Sequence, residues 1–220
     1  MIRVFAADVT PLDVGKCLRF VSPVRWRKVC AYRHENDRKL SLGAELLLNY
    51  GLRRLAPQVA RPAEYFADVN GKPRLAASSL HFNLSHSGAC AVCAIADRPV
   101  GVDVEREAEM NLDIARKFFH PDEYRRVAAC PNPASSFFEY WVLKESYLKA
   151  TGLGFALALD SFCINMSAEP VRVLENGAVQ PWTLQSWRMG DHHIALCRQS
   201  DAPLERDILE TVDICECMSQ

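Results

Sequence analysis

The sequence predicts an α+β protein of two similar, pseudo-symmetric lobes, each a small antiparallel sheet packed with helices. Three observations point there. Residues 37–55 (DRKLSLGAELLLNYGLRRL) carry Leu40, Ala44, Leu47 and Gly51 at helical spacing, and 134–150 reads as a second long helix. Apolar runs at 89–96 (ACAVCAIA) and 100–104 (VGVDV), with a strand-rich stretch from Asp160 to Arg198, supply the sheets. Finally, HHIALC (192–197) repeats the character of ACAVCAI (89–95), each reached by a short glycine-containing turn. The lobes are placed at 1–106 and 107–220, with 104–111 as the junction.

In chain order, MIRVFAADV reads as a first or edge strand. SPVRWRKVCAYRHEN follows as a helix with Ser22 as cap and Pro23 at its first position. NGKP at 70–73 is a turn. The runs at 89–96 and 100–104, separated by Asp97-Arg98-Pro99, predict a hairpin. A helix over 110–119 comes next, then one starting at Pro121 and Asp122, which Pro131-Asn132-Pro133 breaks before the long helix at 134–150. SFCINM, EPVRVLE, WTLQSWRM and HHIALCR are the later strands.

The totals narrow the class. Hydrophobic residues at 49% and charged residues at 24% over 220 positions describe a globular chain with a substantial core. A net charge of −1 gives no global pull towards nucleic acid or an anionic membrane, so any basic site is local. The nine cysteines are an odd count, and MIRVFAADVT lacks a basic region followed by an apolar run. Cys90 and Cys93 form a CxxC with no second pair at zinc-finger distance, and with Cys197 they lie in apolar runs as core thiols. No segment approaches the ~18 apolar residues of a membrane span. The expectation is a reduced, cytoplasmic protein.

Four stretches carry chemistry. On a strand, VGVDVE (100–105) puts the three valines on one face and Gly101, Asp103 and Glu105 on the other. Two carboxylates so close repel each other unless solvent or a hard cation such as Mg2+ lies between them; an acidic edge strand would serve equally. In WVLKESYLKATG (141–152), Glu145 and Lys149 share a helix face, with Lys144 beside it. This suits a surface ion pair, but Phe137, Phe138, Tyr140, Trp141, Tyr147 and Leu148 surround the charges, and a helix apolar on most sides is buried. Glu145 would then complete a three-carboxylate metal site, and the lysines would face anionic substrate oxygens.

FNLSHSG (82–88) places Ser85 and His86 in a polar, glycine-ended turn able to hold phosphate; it reads otherwise as a plain turn, or as a Ser-His hydrolase without a GxSxG elbow. Arg25, Arg27, Lys28, Arg33, Arg38, Lys39 and Lys72 form a local basic cluster, in which Arg25 and Lys28 pair at i,i+3 on a helix.

Together, NGKP, FNLSHSG, VGVDVE, FFHPDEY (118–124) and WVLKESYLKATG resemble, in this order, the Sfp-type 4′-phosphopantetheinyl transferases. The family's diagnostic pattern joins (V/I)G(V/I)D to a later W-x-x-KE-x-x-x-K, carried here by Val100–Asp103 and Trp141–Lys149. The resemblance implies a monomer of two pseudo-symmetric lobes with coenzyme A in the cleft between them. It implies transfer of 4′-phosphopantetheine to a serine of an apo carrier protein (acyl, peptidyl or aryl), releasing 3′,5′-ADP.

By the same resemblance, Asp103, Glu105 and Glu145 are the Mg2+ ligands, and Glu145 deprotonates the carrier serine, directly or through a water on the metal. Lys149 contacts the pyrophosphate. Arg25, Lys28, Lys72, Ser85, His86 and Lys144 are the coenzyme-binding residues. The chain departs from the family at Arg25, Leu40 and Val142. Residues 110–119 (MNLDIARKFF), with Arg116 and Lys117 beside apolar neighbours, are a candidate carrier-docking surface. A non-catalytic coenzyme- or carrier-binding module is the rival reading. Fatty-acid, polyketide and nonribosomal-peptide carriers all stay open.

Overall fold

The computed structural model describes residues 1–200, 202–205 and 207–218. The chain divides into two compact units, Met1–Pro99 with Asp207–Gln220, and Val100–Arg206.

In the first unit, β1 (Ile2–Asp8) is followed by α1 (Val14–Cys17), a 3-10 turn (Leu18–Phe20), α2 (Pro23–Ala31) and α3 (Glu35–Leu55). A small ribbon of β2 (Tyr65–Ala67) and β3 (Pro73–Leu75) precedes β4 (His81–Ser87) and β5 (Cys90–Ala96). Leu18–Phe20 and α2 are separated by Ser22, whose hydroxyl accepts from the Arg25 amide, with Pro23 at the first helical position, as the sequence predicts. Every residue of β5 is buried, which accounts for a continuous apolar run rather than an alternating one. Along α3, Leu40, Ala44, Leu47, Leu48 and Leu52 pack with Phe5, Phe82, Cys93 and Ile95 in one core. A Cβ at Gly51 would come within 2.6 Å of both Phe5 and Ile95, so glycine there lets α3 lie close on the sheet.

The second unit opens with β6 (Val100–Arg106), then α4 (Leu112–Phe118), α5 (Pro121–Ala129) and α6 (Pro133–Thr151). The strands β7 (Phe162–Asn165), β8 (Val171–Glu175), β9 (Ala178–Met189) and β10 (His192–Gln199) follow. Its five-stranded sheet runs β6-β10-β9-β8-β7, antiparallel throughout. Asn132 caps α6 by accepting from the Ser135 amide, and Gly152 ends it at φ 74°, a conformation that glycine adopts without a Cβ penalty. The core gathers Phe119, Val127, Phe137, Tyr140, Leu143, Tyr147, Phe162 and Leu184.

The two units share a topology. In each, a first strand leads into the longest helix, and a hairpin then returns so that its second strand lies beside the first strand. The sets are β1, α3, β4, β5 and β6, α6, β9, β10. The related runs ACAVCAI and HHIALC are the equivalent strands β5 and β10, each entered past a glycine of positive φ, Gly88 at 62° and Gly190 at 60°.

Two expectations are corrected. The runs at 89–96 and 100–104 do not form a hairpin. β5 already has β1 and β4 on its two edges, so β6 pairs instead with β10 in the other sheet. The division at 106/107 moves accordingly: β6 belongs wholly to the second unit, and the tail returns to the first. There β11 (Leu209–Thr211) runs parallel to β1, on the edge that β5 leaves open.

Candidate active site

On β6, Gly101, Asp103 and Glu105 share a face, opposite Cys197, Ala195 and His193 of β10. α6 lies against this face. A Cβ at Gly101 would sit 2.1 Å from the Ser146 carbonyl oxygen and 2.3 Å from the Ala150 nitrogen, so only glycine admits the helix at this distance. The approach brings α6 side chains onto the acidic residues. Lys149 Nζ donates to Asp103 Oδ1 at 2.5 Å, and Asp103 is 2% exposed.

Glu145, one turn earlier, has its carboxyl held above the usual range. Burial is the main cause, and the negative charges of Asp103 and Glu105 add to it against the opposing Lys149. Asp103, Glu105 and Lys149 thus all act electrostatically on Glu145, and Lys149 pairs with Asp103. Among the described residues no group of three or more His, Cys, Asp or Glu has metal-cage geometry. Two of the three carboxylates, Asp103 and Glu105, bear on the third, Glu145, and Lys149 places an ammonium on Asp103.

Lys144 corrects the sequence reading. It does not face substrate oxygens: its side chain is fully buried and donates to Glu123 Oε1 at 2.9 Å and to the Phe162 carbonyl at 2.8 Å. Its ammonium also lies 4.1 Å from the Phe162 ring centroid. Burial lowers the pKa of this ammonium, against the pull of Glu123. Glu123 in turn accepts from the amides of His120 at 2.9 Å and Ile164 at 2.7 Å. One buried pair thus ties α6, α5 and β7 together.

Arg25, Lys28, Lys72, Ser85 and His86, predicted to bind the coenzyme, lie in the first unit. Arg25 is 8% exposed and its Nε donates to Glu45 Oε2 at 2.9 Å, while Nη1 donates to the Ser41 hydroxyl at 3.1 Å. Glu45 also accepts from the Tyr65 hydroxyl at 2.6 Å. Arg25 therefore docks α2 on α3, whereas Lys28 on the same helix is exposed.

Ser85 and His86 are in β4 rather than in a turn, and the turn is confined to Gly88-Ala89. Adjacent strand residues point to opposite faces, so Ser85 and His86 do not form the nucleophile and base of a hydrolase. Lys72, 7% exposed, sits in a turn organised by Asp68, whose Oδ1 accepts from the Asn70 and Lys72 amides. Beside it, Arg74 Nη1 lies 2.7 Å from His81 Nδ1. Burial, with the charges of Arg74 and Lys72, holds the His81 pKa below its ordinary value.

Sequence reasoning missed Glu45, Glu123, Arg74 and His81. Glu45 had a signal: it is a lone acid within the apolar stripe of α3. Glu123 stood inside the quoted FFHPDEY, with no partner nearby in sequence.

Residues 99–197 match the family model described as the 4′-phosphopantetheinyl transferase superfamily. The chain is similar to the 4′-phosphopantetheinyl transferase gsp of Aneurinibacillus migulanus, 34% identical over 166 residues, covering 74% of this chain and 70% of that protein. It is similar to psf-1 of Bacillus pumilus, 29% identical over 218 residues and 93% of both chains. Sfp of Bacillus subtilis strain 168 is 30% identical over 152 residues, 68% of each.

Proposed function

The chain belongs to the 4′-phosphopantetheinyl transferase superfamily, and from that premise we propose how its residues carry out the transfer. The substrates are coenzyme A and an apo carrier protein. The carrier serine oxygen forms a bond to the phosphorus bearing the pantetheine arm, and the pyrophosphate P–O bond breaks. The products are holo-carrier and 3′,5′-ADP, and the serine proton passes to Glu145.

The observation that carries this reading is the convergence of Glu145 and Lys149 of α6 on Asp103 of β6. A carboxylate with a raised pKa is a better proton acceptor than an exposed one. Lys149 is placed to balance charge on the departing diphosphate.

The carboxylate oxygens of Asp103, Glu105 and Glu145 suit a hard divalent cation in kind, and a cation there would relieve the charge that Asp103 and Glu105 put on Glu145; these three would hold Mg2+. When bound, Mg2+ neutralises charge on the diphosphate. Lys28, Lys72 and one of Ser85 and His86 bind the coenzyme phosphates; Arg25 contributes by fixing α2, which presents Lys28. The exposed Leu112, Ile114 and Phe118 of α4, with Arg116 and Lys117, favour carrier docking there. The protein acts as a monomer in the cytoplasm, and its nine free cysteines suit a reducing compartment. No helix among the described residues is long and apolar enough to cross a membrane.

The test is incubation with coenzyme A, Mg2+ and a panel of apo carriers, read by mass spectrometry. The protein should add a phosphopantetheine-sized mass to a carrier, and Glu145→Gln should not. Equal turnover by that variant would remove Glu145 from the proton step, and no gain on any carrier would refute the reaction.

A further inference from the structure

A second charged site lies within the first unit. A cavity of about 320 Å³ is lined by Arg19, Arg53 and Arg61, with Phe20, Pro62 and Met218 supplying apolar surface. It shares Arg19, Phe20 and Met218 with a neighbouring cavity of about 360 Å³, which Lys16 also lines. Among the described residues no carboxylate lines either one. The chain as a whole carries a net charge of −1, so this grouping is not a by-product of a basic surface.

The arginines are gathered by specific contacts. Asn49 of α3 is 7% exposed; its Nδ2 donates to the Phe20 carbonyl at 3.0 Å and its Oδ1 accepts from the Ala63 amide at 2.9 Å. One side chain thereby pins the 3-10 turn carrying Arg19 and the segment carrying Arg61 to the helix that carries Arg53, one turn further on. Arg19 lies 4.8 Å from the Phe20 ring centroid, and Arg53 lies 5.4 Å from that of Tyr50. Arg61 Nη1 donates to the Val59 carbonyl at 3.4 Å. Neither Arg19 nor Arg61 has a carboxylate partner among the described residues.

Guanidinium groups present several N–H donors in a planar fork that matches phosphate oxygens, and three lining one concavity offer an anion several such contacts at once. We infer that this cavity binds a small phosphate-bearing ligand, its anionic group among Arg19, Arg53 and Arg61 and its less polar part against Phe20 and Met218. None of these residues is in the transfer machinery, so the site stands apart from that reaction.

The probe is inorganic pyrophosphate without metal, titrated into the full-length, isotope-labelled protein, with sodium chloride at equal ionic strength as reference. The backbone amides of Arg19, Phe20, Arg53 and Cys217 should shift along one saturating curve that chloride does not reproduce. Arg19→Gln and Arg61→Gln should each weaken that curve about tenfold, the effect of losing one charge-assisted contact. Their spectra away from the cavity should superimpose on the parent's, and their carrier-modifying activity should be unchanged. Unshifted cavity amides, equal shifts with chloride, or unaltered binding in both variants would overturn the assignment.

Discussion

Lys144 Nζ and the Glu123 carboxylate approach to 2.8 Å with both side chains closed to solvent. Removing one partner strands a charge in the core, whereas removing both does not. Lys144→Met should therefore cost about 3–5 kcal/mol. Glu123→Gln combined with Lys144→Met should recover much of that loss. Urea denaturation of the two variants measures the difference; a single variant as stable as the parent would show that the pair holds nothing.

Gly101→Ala tests the helix-on-strand approach. The new methyl would meet the Ser146 carbonyl and the Ala150 nitrogen, which are backbone atoms and cannot swing aside. α6 must shift, and Glu145 and Lys149 move with it relative to Asp103. Overpacking of this kind costs about 1–3 kcal/mol. Carrier modification should fall by about 100-fold, the effect of a displacement near 1 Å at reacting groups. Steady-state kinetics beside a thermal melt gives both values.

The metal assignment has a readout that needs no turnover. A cation held by Asp103, Glu105 and Glu145 in the folded state alone should raise the melting temperature in proportion to the logarithm of its concentration. At one hundred times its dissociation constant the gain is about 2.7 kcal/mol. Asp103→Asn should abolish the effect, and a chelator should reverse it in the parent. Identical melts with Mg2+ and with chelator would remove these three residues as ligands.

His81 gives a pH dependence with a definite sign. Its folded pKa lies below the ordinary 6.5, first through burial and then through the charges of Arg74 and Lys72. The unfolded chain therefore binds this proton more readily. The stability that neutral His81 provides is whole above 6.5, and it falls as pH drops from there to the depressed folded value. His81→Asn should flatten that part of the stability profile, measured by denaturation at a series of pH values. Parallel profiles for parent and variant would contradict the assignment.

Much of this molecule was legible in its sequence because local rules governed it. The cap at Ser22 and the period of α3 are short-range features, and each lies where the patterning put it. Asp103, Glu145 and Lys149 were also legible, since strand alternation and helical i,i+4 spacing fix which side chains share a face. Long-range choices were not. Nothing within 89–104 shows that both edges of β5 are taken by β1 and β4, so a hairpin looked complete when its second strand belonged to another sheet. Lys144 was misread for the same reason: its carboxylate partner is 21 residues away on α5, and only packing reveals whether a lysine beside a site points into it. Ser85 and His86 looked like turn residues because polar, glycine-ended stretches usually turn, yet β5 recruits them as a strand.

The return of β11 to β1 has a consequence for how the polypeptide assembles as it leaves the ribosome. Val4 donates to the Ile208 carbonyl and Val212 to the Ala6 carbonyl, each at 2.8 Å, so β1 is completed by a strand made only after the whole second unit. The second unit is one uninterrupted stretch and needs nothing from outside it to be synthesised whole. The first unit, although it emerges earlier, must hold an unpaired strand edge open during translation of everything between. An open edge on an apolar strand is a template for other chains. Nascent chains halted before Leu209 should therefore self-associate more readily than finished ones, and sedimentation of the released chains would register it.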